Sequence, residues 1–126
     1  MSQSTIACVF PGQGSQSVGM LSELATHTPV IQDTFAEASA ALGYDLWDVV
    51  ANDPDEILNQ THITQPALLT ASVAVYRALQ NTAPFTPALM AGHSLGEYSA
   101  LVCSGVLSLA DGVKLVKARG EFMQSA

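Results

Sequence analysis

The chain has 126 residues, of which 48% are apolar and 12% charged, and its formal net charge is −7. That is one domain's worth of chain at roughly 100–200 residues per domain, and it is too apolar and too weakly charged for a disordered segment. With four basic residues in all, a phosphate-tracking nucleic-acid surface and a basic membrane-surface helix are excluded.

Residues 5–10 (TIACVF) form a short β-rich apolar run that stops at Pro11 and Gly12, which predicts a buried strand. The PGQGSQ that follows is a glycine-punctuated loop. A short helix is expected over residues 19 to about 25. Thr28 and Pro29 then read as an N-cap with proline at the first helical position, and Gly43 ends that helix. Asp53, Pro54, Asp55 and Glu56 repeat the pattern and predict another helix start. Residues 1–76 carry eight acids and no Lys or Arg, and helix caps and first turns account for much of that acidity.

Gln65 and Pro66 open a long helix to about residue 80, apolar on nearly every side and therefore expected to be buried. Residues 81–87 form a loop, and ALMA at 88–91 reads as a central strand. A tight turn at 92–96 leads into a helix through about residue 103. Ser108, with Asp111 three residues on, caps a last helix. That helix shows no stop signal before residue 126, and two parallel strands alone do not make a stable sheet. The chain is therefore expected to be part of a longer α/β protein, helix-rich with a parallel sheet.

Cys8 and Cys103 lie far apart in apolar runs and read as small buried hydrophobes in a reducing compartment. No Cys/His cluster has metal-ligand spacing. No charged n-region with a signal-type apolar run opens the chain, and no stretch reaches the ~20 apolar residues of a membrane span. A cytoplasmic location with no membrane partner is the expectation.

The strongest chemical signal is Gly92, His93, Ser94, Leu95 and Gly96, a G-x-S-x-G with a strand before it and a helix after it. Reversing from strand to helix within a few residues strains the serine backbone. Glycines two before and two after remove Cβ atoms that would clash. The Ser94 hydroxyl then projects over a helix N-terminus, where the Leu95 N–H can serve an oxyanion. In the first loop, Gly12 and Gly14 let the Gln13 backbone come close to a ligand, which suits a second oxyanion donor. The loop is not a P-loop, because no Lys completes it.

On a helical wheel of the last helix, Leu109, Leu115, Val116, Phe122 and Met123 define one face, with Arg119 near its middle. Lys114, Lys117 and Glu121 fall opposite. Arg119 is then either a fork awaiting a carboxylate or half of an internal ion pair. His93 adjoins Ser94 and so points away from it, which suits a pocket-lining role better than a base. His27 and His62 read as surface histidines.

PGQGSQ, TQPALLTAS at 64–72 and GHSLGEYSALV at 92–102 together resemble the malonyl-CoA:acyl carrier protein transacylases of bacterial type II fatty acid synthesis, over essentially all of the chain. The resemblance implies an acyltransferase with an α/β-hydrolase-like large subdomain, of which residues 1–126 are the N-terminal part. It implies a Ser94 ester that carries malonyl from coenzyme A to the thiol of acyl carrier protein. Gln13 and Leu95 would supply oxyanion donors and Arg119 would hold the malonyl carboxylate. A coenzyme A thioester is then the substrate, and no resident cofactor or metal is needed. The family's catalytic histidine and ferredoxin-like small subdomain have no counterpart in these residues, so the chain by itself is expected to be inactive. A serine hydrolase or thioesterase shares the G-x-S-x-G turn, and a non-catalytic module that binds acyl-CoA or carrier protein is the reading from a different class.

Overall fold

A computed structural model describes residues 7–85, 87, 89–92 and 94–125. In chain order these form β1 (Ala7–Phe10), α1 (Ser22–His27), α2 (Pro29–Leu42), α3 (Leu46–Ala51), α4 (Thr61–Thr82), β2 (Leu89–Gly92), α5 (Leu95–Cys103) and α6 (Leu109–Ser125). Among the described residues the sheet has two strands, parallel, with Ala7 opposite Leu89 and Phe10 opposite Gly92. Parallel strands need a long crossover, and α1 to α4 provide it.

The core is helical. Phe35 and Ile31 of α2, Leu46 and Val50 of α3, Leu69 and Val73 of α4, and Val113 and Val116 of α6 are all buried around one another. Burying each large apolar side chain contributes about 1.5–3 kcal/mol. Trp47 meets Phe35 edge-on, with ring centroids 5.1 Å apart.

Several local expectations hold. Pro29 is the first residue of α2, and Gly43 ends that helix with φ 84°, its N–H donating to the Ser39 carbonyl. Asp45 caps α3 by accepting from the Asp48 N–H at 3.1 Å. Ser108 Oγ accepts from the Asp111 N–H at 3.1 Å.

Others need correction. The first helix begins at Ser22 rather than residue 19. No helix starts at Pro54. The Asp53 carboxylate does accept from the Ile57 and Leu58 N–H groups, but Asp53 and Glu56 have positive φ (45° and 55°) and form a turn instead. The long helix begins at Thr61, one turn earlier than expected, and takes Pro66 inside it. Pro66 falls in the second turn, where it withholds the N–H that the His62 carbonyl would otherwise accept. The expected burial of the first strand is not met, since Val9 is 78% exposed; residues 5 and 6 of that strand lie outside the described residues, as does residue 88 before β2. Among the described residues β2 has β1 as its neighbour, and they do not test its expected central position. Cys8 and Cys103 are half-buried free thiols rather than buried ones, and burial pushes the Cys103 thiol up to about 12.

Candidate active site

The link from β2 to α5 is two residues long, His93 and Ser94. His93 lies outside the described residues. Ser94 is exposed, with φ 57° and ψ −112°, a backbone state that costs on the order of 1–3 kcal/mol for a non-glycine residue. The flanking glycines make the turn possible. A Cβ on Gly92 would lie 2.1 Å from the Gly96 carbonyl carbon, and one on Gly96 would lie 2.3 Å from the Phe10 carbonyl oxygen. Both clashes are with backbone, so neither could be relieved by moving a side chain. The turn is thus built as the spacing predicted.

Leu95 is the first residue of α5, and its side chain is buried in the core. Its N–H is among the first-turn donors that have no intrahelical acceptor. The Glu97 N–H donates to the Ser94 carbonyl at 3.0 Å and closes the first turn.

Arg119, on α6, reaches this turn. Its Nη2 donates to Ser94 Oγ at 2.7 Å and its Nη1 to Gln65 Oε1 at 2.7 Å. Its guanidinium carbon stands 5.7 Å from the centroid of the Tyr98 ring. Ion pairs among the described residues are Arg77 with Glu37 at 2.8 Å and Lys117 with Glu121 at 3.9 Å; Arg119 has no carboxylate partner among them. Of the two readings of Arg119, the internal ion pair finds no support there.

The face around Arg119 differs from the expected one. The stripe of α6 that enters the core is Leu109, Gly112, Val113, Val116 and Gly120. Leu115, Phe122 and Met123 are exposed and, with Ala118 and Arg119, line an open groove of about 330 Å³. The wheel had merged a buried stripe with a neighbouring solvent-facing one.

Gln13 makes no hydrogen bond to Ser94 among the described residues. Its side-chain amide donates to Thr61 Oγ1 at 3.3 Å, and the loop is tied down further by Gln16 to Asn59 at 2.9 Å. Gly14 has φ 107°, a conformation that glycine alone adopts readily. The loop is therefore anchored to the start of α4, where α6 also docks. A Cβ on Gly120 would lie 2.6 Å from the His62 Cα, so the two helices touch at backbone. His62 is half-buried at the start of α4, with its Nδ1 2.7 Å from Gln124 Oε1 in an exposed contact. His27 is exposed, as expected.

Sequence reasoning missed Gln65. It was legible only as the residue before a proline, yet it is fully buried and holds Arg119. The available signal was an amide flanked by apolar residues in an apolar helix, because buried polar groups are almost always partnered.

No cluster of His, Cys, Asp or Glu among the described residues could hold a metal ion, and no helix among them is long and apolar enough to cross a membrane.

Comparison with known proteins agrees with this geometry. The acyl transferase domain family matches residues 7–126. The malonyl CoA-acyl carrier protein transacylase of Salmonella typhimurium is 66% identical over 120 residues, covering 95% of this chain and 39% of the relative. The crystal structure of an acyl carrier protein S-malonyltransferase from Vibrio cholerae superposes with a TM-score of 0.92 at 60% identity, covering 96% of this chain and 40% of that one. A structure of a type II PKS acyl-carrier protein in complex with its malonyl-transacylase matches with a TM-score of 0.93 at 59% identity, over 97% of this chain and 40% of the other. The chain spans about 39% of the length of the curated relatives it matches. With a family match across residues 7–126, the chain belongs to the acyl transferase domain family.

Proposed function

We propose that the whole protein moves a malonyl group from coenzyme A to acyl carrier protein, for fatty acid synthesis, through an ester on Ser94. The observation that carries this reading is Arg119. A guanidinium with no acidic partner among the described residues lies 2.7 Å from the exposed Ser94 hydroxyl. That proximity supports a role in which the guanidinium meets the free carboxylate of an acyl group on Ser94, since a planar fork suits a carboxylate. The names of the relatives support malonyl-CoA and acyl carrier protein as the two partners.

Ser94 Oγ attacks the thioester carbonyl carbon, the C–S bond breaks, and the thiolate leaving with coenzyme A takes up the proton released from Oγ. The thiol of acyl carrier protein then attacks the Ser94 ester carbonyl carbon, the C–Oγ bond breaks, and the proton released by the thiol passes to Oγ. The Leu95 N–H and the backbone of Gln13 stabilise the oxyanion in each half. His93, next to Ser94 in the sequence, is assigned a pocket-lining role on this reading. The coenzyme A thioester is a substrate, and the mechanism asks for no resident cofactor.

A base within about 3 Å of Oγ is also needed. Among the described residues the group at that distance is Arg119, which is a donor only. On this reading the base is a histidine from the remainder of the whole protein, and residues 1–126 are the N-terminal part of the α/β-hydrolase-like large subdomain that the resemblance implies. The free thiols Cys8 and Cys103 fit a cytoplasmic setting.

Mass spectrometry after exposure of the whole protein to malonyl-CoA should find a malonyl adduct on the peptide containing Ser94, and none in Ser94→Ala. An adduct retained in Ser94→Ala would overturn the assignment, and release of free malonate instead of malonyl-carrier protein would favour a hydrolase. The 126-residue chain alone should show no transfer above background; turnover by it would overturn the placement of the base.

A further inference from the structure

Gln65 is fully buried, and both ends of its amide are used. Oε1 accepts from Arg119 Nη1 at 2.7 Å, and Nε2 lies 3.2 Å from Met123 Sδ. The two partners sit four residues apart on α6, one turn of helix. The bonding fixes the amide's orientation, because turning it over would point an NH₂ at the guanidinium, donor against donor. Gly120 makes the reach possible by letting α6 lie directly on the first turn of α4.

Arg119 has a long flexible stem, and three contacts hold its head: Gln65, the Tyr98 ring and Ser94 Oγ. Ser94 is exposed and Tyr98 only half-buried, so Gln65 is the contact with no freedom to swing. Its acceptor is also neutral. A carboxylate in the same place would align the guanidinium equally well but would neutralise it, and would repel a second carboxylate brought by a substrate. An amide oxygen orients the fork, keeps its charge available and leaves the Nε–Nη2 edge to a bidentate acceptor.

We propose that Gln65 is a positioning residue for Arg119: its buried neutral amide fixes the guanidinium plane without consuming its charge, and so sets the preference for acyl groups that end in a free carboxylate. This rests on the function proposed above, in which Arg119 meets the malonyl carboxylate.

The test uses the whole protein with Gln65→Glu, which keeps the shape, Gln65→Leu, which removes the acceptor, and Arg119→Ala as reference. Transfer from malonyl-CoA and from acetyl-CoA is measured for each, with melting temperature as a check on folding. Gln65→Glu is expected to lower the malonyl-to-acetyl ratio of kcat/KM by about tenfold or more, the scale of one charge-assisted contact, with the loss appearing in KM for malonyl-CoA. Gln65→Leu should lower the ratio less. A merely structural glutamine would lower both transfers together, in step with melting temperature, and an unchanged ratio in Gln65→Glu overturns the proposal. If Arg119→Ala collapses the ratio while both Gln65 variants keep it, the positioning role falls alone. If Arg119→Ala also keeps it, the carboxylate reading falls and takes the positioning role with it. Should Gln65→Leu fail to fold, Gln65→Glu decides.

Discussion

In the block formed by α2, α3, α4 and α6, contact is made by side chains: Phe35, Ile31, Leu69, Val113 and Val116 fill one apolar interior. Where β1, β2 and α5 meet, contact is made by backbone, with the Phe10 carbonyl against Gly96 and Gly92 against Gly96. The first region depends on atoms being present and the second on atoms being absent. The two also differ in completeness. The helical interior is closed, whereas Val9 beside the turn is 78% exposed and an apolar groove of about 410 Å³ opens between β1 and α4, lined by Cys8, Phe10, Met20, Leu68 and Tyr76 among others. The region to which the proposed chemistry is assigned is the one with more apolar surface open, so the isolated chain is expected to associate through it.

The largest stability effect should come from emptying the closed interior. Phe35→Ala in the whole protein is expected to cost about 3–5 kcal/mol, read by denaturant unfolding, while the transfer rate per folded molecule stays near its original value. A fall in that rate larger than the fall in folded population would mean that the two regions are coupled, and would break the comparison.

Gly96→Ala adds one methyl group where Phe10 backbone stands 2.3 Å away. Overpacking of this kind costs about 1–3 kcal/mol, less than the Phe35 cavity. Its effect on chemistry should be far larger, because displacing Ser94 by even about 1 Å can cost on the order of a hundredfold in rate. Unfolding curves and transfer assays on the same sample separate the two quantities. If activity falls only as far as stability does, the turn is not held by backbone approach.

These two regions were also unequally legible. The turn could be read almost residue by residue, because G-x-S-x-G states its own steric requirement, and the cap at Gly43 likewise follows from one residue's allowed φ. Arg119 stood out because a guanidinium amid apolar residues is conspicuous at helical spacing, although its wheel merged the core stripe with the exposed Leu115, Phe122 and Met123. Gln65 was hidden because its partner lies 54 residues away, and no local pattern encodes that separation. The stretch from Asp53 was misread for a different reason. A cap, a proline and two acids satisfy a helix start and a turn equally well, and here the Asp53 carboxylate stitches the Ile57 and Leu58 N–H groups across a turn with positive φ.

That turn offers a smaller test, in a place where a side-chain carboxylate holds two backbone N–H groups. Asp53→Ala removes the acceptor for two N–H groups and puts a Cβ without polar compensation at φ 45°. A loss of about 1–2 kcal/mol is expected by thermal or denaturant unfolding. Asp53→Asn, which tolerates positive φ and keeps one acceptor oxygen, should recover most of it. Equal losses in both variants would show that charge rather than hydrogen bonding holds the turn.

The smallest effect has the opposite sign, and it sets a hydroxyl in the helical block against the hydroxyl at the turn. Tyr44 Oη is buried with no hydrogen-bond partner among the described residues, and burial pushes its phenol from 10.0 up to about 12. The folded state therefore favours the neutral phenol. That contribution is fully present below the unfolded value of 10.0 and is lost as pH rises through about 12. Tyr44→Phe removes a polar atom the fold does not satisfy, and should leave stability unchanged or raise it by up to about 1 kcal/mol near neutral pH. It should also flatten the decline above about pH 10, where the wild-type phenol ionises on unfolding. Unfolding curves near neutral pH and near pH 11 test both parts. A clear loss of stability in Tyr44→Phe at neutral pH would mean that this hydroxyl is bonded in solution. Ser94→Ala removes the same kind of group at the turn, and there the expectation is reversed: stability held, acyl transfer abolished.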